Sequence, residues 1–152
     1  MTFRRALRTL ALAAALAARA SGACARRPGK GSGQPSASKV AFASISVADA
    51  LDRARAENRL VMVDVYTDWC GWCKKLDGET FADLRVAEAL KDVIPVRVNA
   101  EKGGEAVADK YGVRGFPTVL FLSASGDVVR KVEGYVDAEE MLKVLASLRK
   151  PA

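Results

Sequence analysis

Between residues 40 and 148 two hydrophobic rhythms alternate. LVMVDVY, residues 60 to 66, is nearly all apolar and β-branched, the pattern of a strand covered on both faces, and VIPVRV, residues 93 to 98, repeats it. Ahead of the first strand, residues 46 to 59 space Val47, Ala50, Leu51 and Ala54 at helical intervals. A second helix is predicted to start at the cysteines near residue 70 and to run to about Asp77 or beyond. A third follows Asp83, a suitable N-cap, and carries Val86, Ala87 and Leu90 on one stripe. GEAVADKY, residues 104 to 111, reads as a short helix closed by Gly112. PTVLFL, SASGD and VVRKVEG predict a hairpin over residues 117 to 133, and DAEEMLKVLASL a last helix over 137 to 148. Strand-helix-strand units cross over right-handedly, so the class is α/β, with helices on both faces of a central sheet.

The first 39 residues follow neither rhythm. Arg4, Arg5 and Arg8 precede nine apolar residues, Leu10 to Ala18, and then small residues. A bilayer span takes about 20 apolar residues, so residues 1 to 23 read as an export signal rather than an anchor helix. An alanine-rich amphipathic helix is the competing reading, and the lack of any acid before Asp49 argues against it. Ser21-Gly22-Ala23-Cys24 resembles a lipoprotein cleavage motif, which makes Cys24 a lipid attachment point; ordinary signal cleavage after Ser21-Gly22-Ala23 is the alternative. Residues 24 to 39, rich in Pro, Gly and Ser, form a flexible tether, and the folded domain is expected over residues 40 to 152.

Charge supports this division. Eight of the 24 Lys and Arg lie in residues 1 to 39 with no acid, which leaves 16 basic against 18 acidic groups beyond, a balance of about −2. The net +6 therefore belongs to the leader and tether, and no nucleic-acid partner is expected.

The chemistry concentrates in DWCGWCKK, residues 68 to 75. Cys70 and Cys73 could form half a metal site, a structural staple or a redox pair. A tetrahedral zinc site needs four ligands, and this chain has no histidine and one further cysteine, the distant Cys24, so no metal is expected. Haem attachment needs a histidine after the second cysteine, where Lys74 stands. A staple across so short a loop removes little unfolded-state entropy. Asp64 is a further anomaly, because a carboxylate amid Val61, Met62, Val63 and Val65 costs several kcal/mol to bury ionised and unpaired.

VMVDVYTDWCGWCKK followed by DKYGVRGFPTVLFL resembles the thioredoxin family, with Cys73 and Pro117 44 positions apart, over roughly residues 45 to 149. GETFADLRVAEAL is similar to exported thioredoxin-like domains, including the periplasmic C-terminal domain of the transmembrane disulfide reductant conductor. The resemblance implies a thioredoxin-like fold with a central mixed sheet and an exported thiol-disulfide oxidoreductase. It would have no cofactor beyond its own disulfide and would reside in the periplasm or be membrane-anchored facing it.

Cys70, at a helix N-terminus, is then the nucleophile, and Cys73, one turn on and more buried, resolves the mixed disulfide. Asp64 matches the family's buried aspartate, which exchanges a proton with the resolving cysteine; a purely structural pairing with Arg97 is the alternative. Pro117 matches the cis-proline that presents the backbone of Phe116 to substrate, and Trp69, Gly71 and Trp72 complete the substrate-binding surface. Gly71-Trp72 stands where the family carries Gly-Pro, and that pair tunes the redox poise. No histidine follows Gly71, which favours a reductant. Disulfide-bearing proteins are the implied substrates and a membrane electron donor the implied partner. Two other functions remain open: a thiol peroxidase, because Thr67-x-x-Cys70 resembles the peroxiredoxin turn, and a non-catalytic binding module.

Overall fold

The computed structural model describes residues 38 to 148; the expected export signal, Cys24 and nearly all of the tether lie outside the described residues. β1 (Leu60–Tyr66) sits inside a four-stranded sheet of order β2 (Val93–Asn99), β1, β3 (Thr118–Leu122), β4 (Val128–Glu133). β1 runs parallel to β2 and antiparallel to β3, and β3 is antiparallel to β4, so the sheet is mixed.

The side-chain period of two divides β1 between two cores. Val61, Val63 and Val65 face Ile94, Val96, Leu120 and Leu122, and this face is covered by α1 (Val47–Glu57) through Ala50, Leu51 and Ala54 and by α4 (Glu105–Lys110) through Ala108. Met62 faces the other way with Val119 and Phe121. That face packs on Val86 of α3 (Leu84–Ala89) and on Met141, Val144 and Leu145 of α5 (Ala138–Leu148). Each fully buried Val, Leu, Ile, Phe or Met among them contributes about 1.5–3 kcal/mol, so neither set of helices can leave its face without large loss. Pro95 is tolerated in β2 because it points to the outer edge, where its carbonyl accepts the Ala43 N–H at 2.7 Å.

The caps follow the local sequence. Ser46 accepts the Asp49 N–H at 3.0 Å ahead of α1, and Asp83 accepts the Arg85 N–H at 2.7 Å ahead of α3. Gly112, at φ 58°, closes α4 in the left-handed region.

The helix predicted from the cysteines runs past Asp77, with a change of hydrogen-bond pattern on the way: α2 (Gly71–Lys75) passes into a π-helical turn, Leu76–Thr80. There the Phe81 N–H reaches back five residues to Leu76 O at 2.9 Å, which lets both Leu76 and Phe81 enter the core. Thr80, carried inward by the same turn, donates its hydroxyl to Val136 O at 2.6 Å.

Candidate active site

β1 delivers the chain to the cysteines through a turn in which the Cys70 N–H donates to Thr67 O at 3.2 Å. Cys70 is the N-cap of α2, at φ −69° and ψ 105°, and its Sγ accepts the Cys73 N–H at 3.1 Å. That bond satisfies one of the free N–H groups of the first helical turn. Cys70 and Cys73 form a disulfide with Cα atoms 5.3 Å apart. The expected difference in burial between them is absent, since they are 4% and 3% exposed. In the disulfide form the two residues are buried alike, and what distinguishes them is position: Cys70 caps the helix N-terminus and Cys73 lies inside its first turn.

Asp64 is buried on the same face of β1 as Met62, and the parallel register sets Arg97 beside it. Arg97 Nη2 lies 2.9 Å from Asp64 Oδ2 and 2.9 Å from Asp77 Oδ2, but only the Asp77 contact is a well-aimed hydrogen bond. The guanidinium lies over the rings of Phe42, at 4.9 Å, and Tyr66, at 4.6 Å. Burial is the main influence on Asp64; it is opposed by Arg97 and reinforced by Asp77, and the carboxyl is pushed up to about 6. Burial works against charge on Arg97, yet the two carboxylates outweigh it and hold the guanidinium above its ordinary value. Pairing with Arg97 and an elevated proton affinity thus coexist at Asp64.

The surface around the thiols is aromatic. Trp69 and Trp72 are 66% and 58% exposed, which rules out a core role for either. Trp69 donates from Nε1 to both carboxylate oxygens of Glu101 at 2.9 Å and meets Phe116 edge-on at 6.2 Å between centroids. Trp72 packs against Tyr135 at 5.7 Å, with Lys75 Nζ 4.5 Å from the Tyr135 ring and 5.3 Å from the Trp72 ring. Tyr135 donates to Glu79 at 2.6 Å. The Phe116–Pro117 bond is cis, as the resemblance implied, and Gly71 opens α2 with free space where a side chain would stand. Asp77, Glu101 and Tyr135 were not foreseen. Asp77, four residues after Cys73, was recoverable from helical spacing. Tyr135 arrives only through the β4–α5 connection, and nothing in its local sequence signals it. Among the described residues no group of three or more Cys, Asp or Glu is placed to hold a metal ion.

A mixed sheet with helices on both faces, a disulfide where the central strand feeds a helix and a cis-proline opening β3 define a thioredoxin-fold protein with a dithiol site. The chain belongs to the thioredoxin-like domain family, whose model matches residues 47–149. It is 37% identical over 116 residues to the thiol:disulfide interchange protein DsbD of Salmonella paratyphi A, covering 70% of this chain and 20% of that protein. With DsbD of Haemophilus influenzae (strain PittEE) it shares 32% over 120 residues, 74% of this chain and 21% of that one. The chain thus matches about a fifth of the length of these relatives.

Among solved structures, a putative disulphide-isomerase from Bacteroides thetaiotaomicron superposes with a TM-score of 0.64 at 38% identity, covering 74% of this chain and 96% of that one. The C-terminal domain of Neisseria meningitidis DsbD in its reduced form gives 0.57 at 27% identity, with 67% and 93% covered. Thioredoxin-like oxidoreductases work through their own cysteine pair without a cofactor, and Cys70–Cys73 is that pair here.

Proposed function

We propose that the chain is an exported thiol-disulfide oxidoreductase that reduces disulfides in other proteins. The observation that carries this reading is the placement of Cys70 as the N-cap of α2, its sulfur already accepting the Cys73 N–H and joined to Cys73. In the dithiol form the same N–H stabilises a Cys70 thiolate, which attacks one sulfur of a substrate disulfide and expels the other as a thiolate. Cys73 then gives its proton to Asp64 and attacks Cys70 Sγ, releasing the second substrate sulfur and restoring the Cys70–Cys73 disulfide. Substrate strands lie along Phe116–Pro117, between the walls made by Trp69 and Trp72.

The reductive direction is supported by the absence of a histidine after Gly71, and the export reading by the leader. Similarity to the C-terminal domain of DsbD supports a membrane protein as the electron donor and the periplasm as the location. Attachment through Cys24 would keep the domain close to that donor.

The division of labour is tested by trapping. Cys73→Ser is expected to accumulate reducible mixed disulfides with exported proteins, whereas Cys70→Ser traps almost nothing. Both variants are expressed in an exporting bacterium, quenched in acid and compared on non-reducing gels. Adducts from Cys70→Ser alone reverse the assignment, and adducts from neither, with no disulfide reduction by the wild type, favour a binding module.

A further inference from the structure

Thr67 forms the turn that delivers Cys70, and its side chain is chemically out of place. The residue is 2% exposed, and its Oγ1 is buried without a hydrogen-bond partner. Among the described residues the other two buried threonines are satisfied, Thr80 on Val136 O and Thr118 on Gly115 O. Valine would fill the same space without burying an unpaired hydroxyl, so packing alone does not account for threonine here. An orphan hydroxyl that costs stability in one state of a protein is explained if another state supplies its partner.

The position indicates what that partner is. The Cys70 N–H donates to Thr67 O at 3.2 Å, a turn geometry that holds the two Cα atoms within about 7 Å. In the disulfide the Cys70 sulfur is neutral, bonded to Cys73 and a weak acceptor that already takes the Cys73 N–H. As a thiolate the same sulfur carries a full charge and calls for more than one donor. Resting on the dithiol reading above, we propose that Thr67 is a ligand of the Cys70 thiolate that engages only in the reduced state. Its hydroxyl, idle in the disulfide, donates to Cys70 Sγ once the disulfide opens.

The redox step balances without a further component. A dithiol reductant gives two electrons, the Cys70–Cys73 bond breaks, and Cys70 leaves as a thiolate. Cys73 takes one of the reductant's two protons, the other goes to solvent, and the reductant closes its own disulfide. A donor present only on the reduced side pulls this equilibrium toward dithiol and lowers the pH at which Cys70 ionises. The charged groups around this end of the sheet include Asp64 and Arg97 in the strands, Asp68 in the turn with its partner Lys102, Glu101 against Trp69, and Lys74, Lys75, Asp77 and Glu79 beyond the cysteines. All are unchanged by substitution at Thr67, so their influence cancels in the comparison.

The experiment compares wild type, Thr67→Val and Thr67→Ser. Each is equilibrated with mixtures of reduced and oxidised dithiothreitol, and the rate of Cys70 alkylation is followed against pH. A charge-assisted hydrogen bond lost in Thr67→Val lowers the dithiol-to-disulfide ratio about tenfold, equivalent to about 30 mV toward a more reducing couple. It also raises the midpoint of alkylation by about one pH unit. Thr67→Ser, which keeps the hydroxyl, retains both wild-type values. Should Thr67→Val fail to fold, Thr67→Ala against Thr67→Ser makes the same comparison. If the variants lacking the hydroxyl match wild type in ratio and midpoint, or if Thr67→Ser shifts as they do, the inference falls. A wild-type dithiol that does not exchange with disulfide substrates overturns the functional reading instead, and is seen before any variant is made.

Discussion

Asp64→Asn removes a charge that the folded protein holds at a cost, and the size of that cost follows from the site. The carboxyl titrates at about 6 in the folded chain against an ordinary 3.8. The difference corresponds to a penalty on the order of 3 kcal/mol once the group is ionised in both states. This figure is already net of the attraction of Arg97, which keeps Asp77 as a partner in the variant. The sign follows from proton binding. Below about pH 4 both folded and unfolded chains hold the proton and Asp64 costs nothing. Between about 4 and 6 only the folded chain holds it, so wild-type stability falls as pH rises, and above 6 the full penalty remains.

Asparagine mimics the neutral acid at every pH. The oxidised variant is therefore expected to match wild type near pH 4 and to exceed it at pH 8 by up to about 3 kcal/mol. With typical urea dependences this moves the denaturation midpoint by roughly 1 to 3 M. Asp77→Asn is the control: burial still raises Asp64, but the added repulsion from Asp77 is gone and Arg97 is left to Asp64 alone, so the pH window of the stability loss moves below 6. The measurement is urea unfolding of the disulfide form of each protein at pH 4 and pH 8. An Asp64→Asn advantage that is equal at the two pH values, or a variant less stable than wild type at pH 8, refutes the reasoning.

The same Asp64→Asn variant is expected to slow release of reduced substrate at neutral pH while leaving the first attack by Cys70 largely intact, because only resolution needs a proton acceptor for Cys73; rapid-quench kinetics separates the two steps, and equal slowing of both assigns Asp64 a structural role. Cys24 is expected to be lipidated in the exported protein, since a spare thiol in an oxidising compartment invites mispairing. Mass spectrometry showing an unmodified Cys24, or a mature start beyond it, removes the lipid anchor.

The elements were legible in the sequence because each is specified by its own neighbours. Leu60–Tyr66 forms a strand over the predicted residues because a nearly continuous apolar run, with valine at every second position, is buried on both faces of a sheet. Asp83 and Gly112 mark helix ends through local hydrogen bonding and backbone freedom. Cys70, Cys73 and Pro117 stood out by spacing and family likeness, and Asp64 by being a charge in an apolar run. What the sequence could not decide was contact across elements. The π-helical turn at Leu76–Thr80 exists because Leu76 and Phe81 both need the core, a demand set by α3, α5 and the sheet rather than by LDGET. Asp77 joins Asp64 only because Arg97 comes from a different strand and bridges both. Tyr135 reaches Trp72 from 63 positions away in the chain, and the unpartnered hydroxyl of Thr67 is defined by what surrounds it. Local pattern determines which residues become strand or helix, because backbone hydrogen bonds and side-chain period act over a few residues. Proton affinities and unsatisfied donors depend on burial and on charges brought from distant segments, so only the folded chain decides them.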